Sequence, residues 1–361
     1  MNDANELISF IASMSGEGNL RVEENLGEGY VRLRVSEAER RQAKHDIQHV
    51  EDIVIEMLRN ARDAGADKVY LATTKEDGVR TLVFLDNGSG VPQDMQERIF
   101  DARVTSKLES MKMDRWGVHG RGMALFSIKQ NTDEARVVAS DVDLGSVFKV
   151  SVATDSLGER ADQSSWPQAV KDEDGHYVCA RGPHNIIRAA CEFALEELRA
   201  CDVYLGSPSE IAATLHAQAS SRLDTSRLLF IDDEAELPVV DRLGLASDAE
   251  DFIRICSGLG LEMSERTAHR ILAGQIKPVR GVTARLLRER DSSSHASAPV
   301  DLAKDRRGLR IAKDDMAQFS RAVERDFNDL ASRYYLNLCG DPKIRVSRDR
   351  ITVTFDLAKE E

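Results

Sequence analysis

The sequence lacks the features that would place it in a membrane, secreted or fibrous class. Its 361 residues contain no run of about eighteen consecutive apolar residues, so no transmembrane helix is predicted. The first residues, Met1 to Glu6, contain neither a basic stretch nor an apolar run, and we predict no secretory signal. No repeat of fixed period is visible, which argues against a solenoid. With 42% apolar residues, the chain is instead expected to form two or three globular domains.

Cysteine is scarce and follows no metal-binding or disulfide pattern. The chain has five cysteines, an odd number, and no two of them form a C-x-x-C pair. This usage favours reduced, mostly buried thiols in a cytoplasmic protein over disulfides or a zinc site. The cysteines are Cys179, Cys191, Cys201, Cys256 and Cys339.

A polar line on one predicted helix is the first sign of a site. The helical pattern begins after Ser36 and continues, with a break, to Ala64. Near its end, Glu56, Asn60 and Asp63 stand at i, i+4 and i+7 and therefore share one face beside an apolar arc. Such a face either lines a cavity or is solvated, and the helix alone leaves both open. The neighbouring arginines, which are expected to point elsewhere, are Arg59 and Arg62.

Two glycine-rich turns follow the helix. Predicted antiparallel strands at Lys68–Thr73 and Arg80–Leu85 run into Asp86-Asn-Gly-Ser-Gly90. A carboxylate at the end of a buried strand, followed by glycines, can accept a ligand's hydrogen bond while the backbone approaches closely. Further on, Gly117-Val-His-Gly-Arg-Gly122 precedes an apolar helical run, where free amides and the helix dipole suit a phosphate. Each turn alone is a weak signal, because ordinary turns have the same composition.

The segment between these turns is polar and mixed. We predict that residues 93–116, which include Thr105-Ser-Lys107, form a mobile segment that covers a ligand. Strands predicted at Ala135–Ala139 and Gly145–Val152 complete the sheet.

Taken in this order and spacing, the motifs resemble those of the GHKL ATPases. The helix is similar to the family's N-box, the first turn to its adenine-binding box and the second to its second glycine box. The branch resembled is the DNA gyrase B, MutL, heat-shock ninety-kilodalton chaperone and topoisomerase VI B group. The likeness covers about residues 30–152 and implies an α+β fold, in which a two-layer α/β sandwich of the Bergerat type binds ATP. The motifs are Glu56-x-x-x-Asn60-x-x-Asp63, Asp86-x-Gly88-x-Gly90 and Gly117-x-x-Gly120-x-Gly122.

The resemblance implies a role for each matching position. Glu56 would be the general base that activates water for attack on the γ-phosphate. Asn60 would be the protein ligand of Mg²⁺, which prefers oxygen donors. Asp86 would accept a hydrogen bond from the adenine amino group, and Ser146 would stand near the adenine-linked water. Asp63 would order the pocket rather than take part in the chemistry.

The remaining implied contacts to ATP come from the glycines and from the covering segment. Glycines would let the base approach and would direct backbone amides to the phosphates, while a lysine would supply a cation. A second interpretation makes the histidine a phosphotransfer residue. The helix, however, carries a glutamate as gyrase-type hydrolases do, and no heptad hairpin with a phospho-acceptor histidine precedes it. The positions are Gly88, Gly90, Lys107, Gly117, His119, Gly120, Arg121 and Gly122.

The second half of the sequence departs from the family. It shows no clear alternating pattern of a transducer domain, which puts strand passage, mismatch repair and chaperoning in doubt. Residues 155–182 are predicted to be a linker or an extended loop, and 186–201 and 209–219 to be helices. Residues 248–287 are expected to be helical with a turn at 258–260. The predicted domains are the ATP-binding domain 1–155, a mainly helical region 156–291 and a terminal helix with a β-hairpin 300–361.

A basic segment stands out in a chain whose net charge is −13. The stretch Ser264–Leu272 follows a glycine turn and is typical of a helix-turn-helix. Either the segment is a helical hairpin with a solvated basic face, or it is a surface for nucleic acid or an acidic partner. Lys277 is also similarly placed to the lysine that a gyrase loop sends to the γ-phosphate, although its flanks are helical. The basic residues are Arg266, Arg270, Lys277, Arg280, Arg285, Arg288 and Arg290.

The end of the chain follows a predicted flexible linker at 292–299. We predict an amphipathic helix at Asp314–Leu338 and then a hairpin from Lys343–Val346 and Ile351–Phe355. This pair of elements could dock on a partner, on a second copy or on its own domain.

Three functions are consistent with these patterns. The first is a Mg²⁺-dependent ATPase, in which closure of the segment over ATP controls how the C-terminal region meets a macromolecular partner. The second is an ATP-binding switch with little hydrolysis. The third is a nucleic-acid-associated factor targeted by residues 266–290. A homodimer is expected by analogy with the family, and no membrane contact is expected.

Overall fold

The structure is a computed structural model of the chain, and it divides into two compact units, residues 1–291 and 292–361. In the first unit it describes residues 22–106, 112–119, 122–160, 162–198, 200–223 and 233–287. In the second it describes 336–338, 342–346, 351–359 and a few separate positions between 316 and 327. The helix predicted at residues 4–14 and the linker predicted at 292–299 lie outside the described residues.

The first unit contains strands and helices in alternation. Its strands are β1 (Val22–Gly27), β2 (Tyr30–Leu33), β3 (Lys68–Glu76), β4 (Val79–Asp86), β5 (Val104–Thr105), β6 (Lys112–Asp114), β7 (Gly117–His119), β8 (Glu134–Ser140), β9 (Ser146–Ala153), β10 (Gln168–Lys171), β11 (Tyr177–Arg181) and β12 (Asp202–Gly206). Its helices are α1 (Glu37–Asp46), α2 (Val50–Asp63), α3 (Ala124–Asn131), α4 (Ile186–Glu196), α5 (Pro208–Arg222), α6 (Ala249–Gly258), α7 (Glu265–Leu272) and α8 (residues 282–287).

A five-stranded sheet forms the centre of this unit, in the order β12-β3-β4-β9-β8. Strands β3, β4, β9 and β8 are antiparallel neighbours, whereas β12 adds to the edge parallel to β3. The register places Asp86 at the end of β4 directly opposite Ser146 at the start of β9. This mixed α/β architecture is the fold class that the sequence predicted.

Helices cover both faces of the sheet, because side chains alternate between its faces along each strand. One face carries Leu71 and Phe84, which pack in a core with α2 and α4. The other carries Tyr70 and Leu85, whose core includes residues of α5, α6 and α7 such as Phe252. Each fully buried side chain of this size contributes roughly 1.5–3 kcal/mol. The helices of the second half therefore pack on the same sheet as α2.

Helix α1 begins where the sequence predicted a helix start. Ser36 is the N-cap, its hydroxyl accepts from the Glu39 amide, and the Glu39 carboxylate accepts from the Ser36 amide in return. The predicted break follows at Ile47, which has an extended backbone. Helix α2 then starts after His49 and carries the polar line to the sheet.

Two predicted elements differ from the structure. The segment predicted as a linker or loop at 155–182 contains the hairpin β10–β11, which closes through a turn where the Asp172 carboxylate accepts from the His176 amide. Its strands are short and mostly exposed, so no strong hydrophobic alternation marks them. The helix predicted to end at Leu338 is replaced at Leu336–Leu338 by strand β13, because these residues pair with Leu357–Lys359.

The second unit has four described strands. Strand β13 (Leu336–Leu338) pairs with β16 (Leu357–Lys359), and β14 (Lys343–Val346) pairs with β15 (Ile351–Thr354). The second pair confirms the predicted terminal hairpin. In neither unit does the described part of the chain contain a helix long and apolar enough to cross a membrane.

Candidate functional site

A cavity of about 470 Å³ opens between α2, the sheet and the segment that precedes α3. This volume lies within the range of ordinary small-molecule sites. It brings together seven positions that the sequence singled out, from four separate stretches of chain. They are Glu56, Asn60, Asp63, Asp86, Gly90, Gly122 and Ser146.

Helix α2 presents its predicted polar line to this cavity. Glu56, Asn60 and Asp63 all lie in the lining, whereas Leu58 on the opposite side is fully buried in the core. The amide nitrogen Nδ2 of Asn60 is buried and has no hydrogen-bond partner within the described chain. A buried, unsatisfied amide that faces a cavity is costly in the empty protein and indicates a polar ligand.

We predicted that Arg59 points away from the polar line, but in the structure it contacts that line and lines the cavity. Its guanidinium donates to Glu56 Oε1 at 2.7 Å and to Asp114 Oδ2 at 2.9 Å, and only 3% of the side chain is exposed. The reason is geometric, because residues three apart are neighbours on a helix surface and arginine is long enough to turn toward the cavity. Arg59 therefore links the candidate base to the hairpin β6–β7.

Arg62 extends this ion network away from the cavity. Its guanidinium contacts Asp63 and Glu197 and shares Asp114 with Arg59, each at 3.1 Å. Burial acts to lower the pKa of Arg62, but the carboxylates around it raise the pKa above the ordinary arginine value. The network thus holds hairpin β6–β7 and the end of α4 against α2.

The opposite end of the cavity is built by the ends of β4 and β9. Asp86 is 4% exposed, and its Oδ1 accepts from the Gly88 amide at 2.8 Å. Ser146 is also buried, and its hydroxyl lies 3.2 Å from the hydroxyl of Ser140. Ser140 is a residue that sequence reasoning missed, because its position beside the site depends on the pairing of β8 with β9. This end offers a fixed carboxylate and hydroxyls to a polar, planar ligand.

Gly90 and Gly122 are required by the backbone. Gly90 has φ +71°, and a Cβ there would lie 1.7 Å from the Asp141 carbonyl oxygen. Gly122 has φ +65°, and a Cβ there would lie 2.8 Å from the Val104 carbonyl oxygen. Both conformations strongly favour glycine. The glycines thus let two loops close around the cavity.

Arg103 is a cavity residue that the sequence patterns did not single out. It adopts a left-handed backbone with φ 62°, is 6% exposed and forms an ion pair with Glu39 of α1. Its Nε is buried and has no partner among the described residues. The amide of Arg103 donates to the Gly122 carbonyl at 2.8 Å, so this cation lies at the glycine-box end. In the sequence, the only indication that Arg103 belongs to the site was its position two residues before Thr105-Ser-Lys107.

Other predicted positions lie in different places. Gly117 and His119 belong to strand β7, which pairs with β6, and helix α3 begins only at Ala124 after Gly122. Gly88 lies beside Asp86 and Ala64 rather than in the lining. The predicted positions outside the described residues are Lys107, Gly120 and Arg121.

The donor set fits a magnesium ion that is held mainly by a nucleotide. Within the described part of the chain, no group of three or more His, Cys, Asp or Glu side chains could hold a metal. Asn60 can offer one amide oxygen in the cavity, and Mg²⁺ commonly binds through one or two protein oxygens together with phosphates and water. The site therefore suits the ion as a companion of phosphate, and not as an isolated protein-bound metal.

The part of the chain that forms much of the cavity is also the part that is similar to known proteins. Residues 47–141 match the family model described as "Histidine kinase-, DNA gyrase B-, and HSP90-like ATPase". The DNA mismatch repair protein MutL of Staphylococcus aureus, in strains Newman, JH1 and Mu3, is 29% identical over 142 residues. That match covers 35% of this chain but only 21% of each MutL. The segment 47–141, which carries the cavity's α2 and β4 residues, is thus similar to the ATPases of the GHKL family, and the chain spans about a fifth of the length of the MutL proteins that it matches.

Proposed function

We propose that the cavity binds ATP and that the protein hydrolyses it with the help of Mg²⁺. The observation that supports this proposal is that residues from distant parts of the sequence line the same cavity. Glu56 and Asn60 on α2, Asp86 on β4 and Gly122 before α3 are far apart in the sequence but line one cavity of nucleotide size. The family match and the cavity support the same ligand.

The adenine would occupy the β4–β9 end. There the Gly88 amide holds one oxygen of Asp86, so the carboxylate has a fixed orientation for the exocyclic amino group. Ser146 and Ser140 would bind the water that completes the recognition of the base. The polar groups are few and fixed, which is how a mostly apolar cleft sets the orientation of its ligand.

The triphosphate would extend toward α2 and Gly122. Asn60 would bind the magnesium ion, whose chemistry is to neutralise charge on the phosphate oxygens. Arg103, a buried cation at this end, would contribute further positive charge if it turned from Glu39 to the phosphates. Lys107, Gly120 and Arg121 are proposed to complete the phosphate contacts, with His119 in the same loop as a positioning residue.

Glu56 would accept the proton of the attacking water. The Arg59 guanidinium, at 2.7 Å, donates to its carboxylate and fixes the orientation of that carboxylate in the cavity. Since Arg59 is itself held by Asp114, the β6–β7 hairpin would help to position the base.

Closure of the segment 93–116 over ATP is proposed to alter the contact of the C-terminal region with a macromolecular partner. We propose the segment 264–290 as the partner contact, and a homodimer as the ATP-bound state by analogy with the family. A cytoplasmic location is part of the same proposal. The alternative function is a switch that binds ATP and hydrolyses it slowly or not at all.

ATP turnover by the purified whole chain, compared with that of Glu56→Ala, tests the proposal. We expect the variant to bind ATP but to lose at least about 100-fold in kcat, the usual contribution of a general base. Glu173→Ala, in the exposed β10–β11 turn, is the matched control and should turn over normally. Equal rates in Glu56→Ala and wild type would exclude Glu56 as the base. ATP binding without turnover in the wild type would favour the switch.

A further inference from the structure

The helices α6 and α7 form a helix-turn-helix on the face of the sheet opposite the cavity. Helix α6 ends at a turn in which Gly260 has φ +69° and the Leu261 amide donates to the Cys256 carbonyl at 2.8 Å. Ser264 then caps α7. Leu261, Ala268 and Ile271 point inward and are buried in the core shared with α5. The angle between the two helices is thus fixed by packing.

The outer face of α7 is basic and exposed. Arg266 and Arg270 stand at i and i+4 on this face, and Lys277 and Arg280 follow in the connection to α8. Within the described part of the chain none of these four has a carboxylate partner, whereas arginines elsewhere, such as Arg136 and Arg188, are paired. Unneutralised positive charge concentrated at one place in a chain of net charge −13 indicates a polyanionic ligand.

Three charged residues lie near this surface. Arg285 lies over the Trp166 ring at 3.9 Å and is therefore used in packing rather than presented to a ligand. Glu262 is paired with Lys149 at 3.2 Å, and Glu265 lies 3.7 Å from His269. Glu262 thus has a cationic partner, and it repels a polyanion less than an unpaired carboxylate would.

We propose that this surface, Arg266, Arg270, Lys277 and Arg280, binds double-stranded DNA, with α7 in the major groove. An α-helix is about 10–12 Å across with its side chains, which fits the major-groove width of about 12 Å, and α7 has eight residues with which to present its basic face. A protein partner fits less well, because interface hot spots need large apolar or aromatic anchors. In the described part of this surface the exposed large hydrophobic side chain is Leu272, at 36%. The surface goes beyond ATP hydrolysis and does not depend on it.

Fluorescence anisotropy of a labelled DNA duplex of about 20 base pairs, titrated with the whole chain at several salt concentrations, tests this. Wild type should bind, and the logarithm of its binding constant should fall linearly with the logarithm of salt concentration. The double variant Arg266→Ala/Arg270→Ala should bind at least 10-fold more weakly and lose about 2 from that slope, since each phosphate contact contributes about 0.9. The control Arg41→Ala/Arg136→Ala removes two exposed but paired arginines and should leave both quantities unchanged.

Two competitors distinguish DNA from an acidic protein as the ligand, and a folding control distinguishes lost binding from misfolding. Unlabelled duplex should displace the probe at far lower concentration than polyglutamate, and displacement by polyglutamate at equal concentration would overturn the proposal in favour of an acidic protein. No binding by wild type at about 50 mM salt, or equal binding by the double variant, would also overturn it. The double variant should bind ATP as wild type does, so loss of DNA binding with intact ATP binding cannot be attributed to misfolding. Failure of ATP turnover leaves this result unaffected.

Discussion

Arg59 shows at the scale of single residues how the site is held together. It is buried between two carboxylates that come from different parts of the chain, Glu56 on the same helix and Asp114 on a hairpin. Removing a buried cation leaves its partners charged and unpaired, which costs far more than the pair itself contributes. The residue is therefore expected to matter for stability as well as for the position of the candidate base.

We predict that Arg59→Met lowers the free energy of unfolding by about 3 kcal/mol, measured by urea denaturation. Arg254→Met is the matched control, because Arg254 also pairs with carboxylates but is 59% exposed. It should change stability by less than about 1 kcal/mol. Equal losses in the two variants would contradict the role assigned to burial.

Gly90→Ala is predicted to be severely destabilising. Its left-handed backbone strains any side chain, and the new Cβ would lie 1.7 Å from the Asp141 carbonyl. We expect a loss of more than about 3 kcal/mol in thermal unfolding. Gly78→Ala has a similar φ of +81° but open space around it, and should lose only about 1 kcal/mol. A mild effect at Gly90 would show that the loop can shift.

The conformation of Arg103 shows why the sequence did not reveal every site residue. Helix periodicity predicted that Glu56, Asn60 and Asp63 share one face. The resemblance of the motifs to those of the GHKL ATPases implied that Asp86 lies in the same cavity. The position of Arg103 depends on a left-handed backbone in a loop and on an ion pair with Glu39, 64 residues away. Neither leaves a periodic pattern in the sequence.

Among the elements, helix α1 is linked to the cavity through Glu39, which takes part in the N-terminal cap of the helix and also pairs with Arg103. Burial acts to raise the pKa of Glu39, but the amide and hydroxyl of Ser36 and the Arg103 guanidinium hold the pKa below its usual value of 4.5. A carboxylate with a depressed pKa in the folded state stabilises the fold above its ordinary pKa. That contribution disappears as the pH falls through the folded-state value.

We therefore predict that Glu39→Gln is less stable than wild type at pH 7, and that the difference shrinks as the pH is lowered from 5 to below 4. Urea denaturation at a series of pH values measures it. Glu37→Gln, on the exposed side of the same turn with Arg41 at 3.6 Å, should show little difference at any pH. If the loss of stability in Glu39→Gln became larger in acid, the pKa of Glu39 in the folded state would be raised rather than lowered.

The elements also show where sequence patterns were sufficient. Strands β3, β4, β8 and β9 follow the predicted positions to within a few residues. The first, second and fourth of these are the buried centre of the sheet, and β8 at its edge still carries a run of apolar side chains. The hairpin β10–β11 was not predicted, because its exposed strands lack that pattern. Its pairing depends on the turn at 172–176 and on packing of Cys179 in the core.

In the larger unit, residues 1–291, one sheet is shared between two sets of helices. The cavity lies with α2 on one face, and the helix-turn-helix lies on the other. Sequence patterns alone could not assign α5, α6 and α7 to that second face, because amphipathic helices do not reveal which sheet they cover. Contacts through the sheet offer a physical route by which a ligand on one face could bias the other.

If ATP closes the covering segment to form a dimer, a non-hydrolysable ATP analogue should double the mass of the 40.1 kDa chain in light scattering. Asn60→Ala, which removes the proposed magnesium ligand, should remain a monomer under the same conditions. A mass that does not change with the analogue would restrict the proposal to a monomeric ATPase.

The central claim is that Glu56, Asn60 and Asp86 meet on one bound ATP. Isothermal titration calorimetry of a non-hydrolysable ATP analogue into the whole chain with Mg²⁺ tests it most directly. We expect one site per chain in wild type, at least 10-fold weaker binding in Asp86→Asn, and unchanged binding in Asp174→Asn, an exposed turn residue. No binding to wild type, or equal binding by all three proteins, would contradict it.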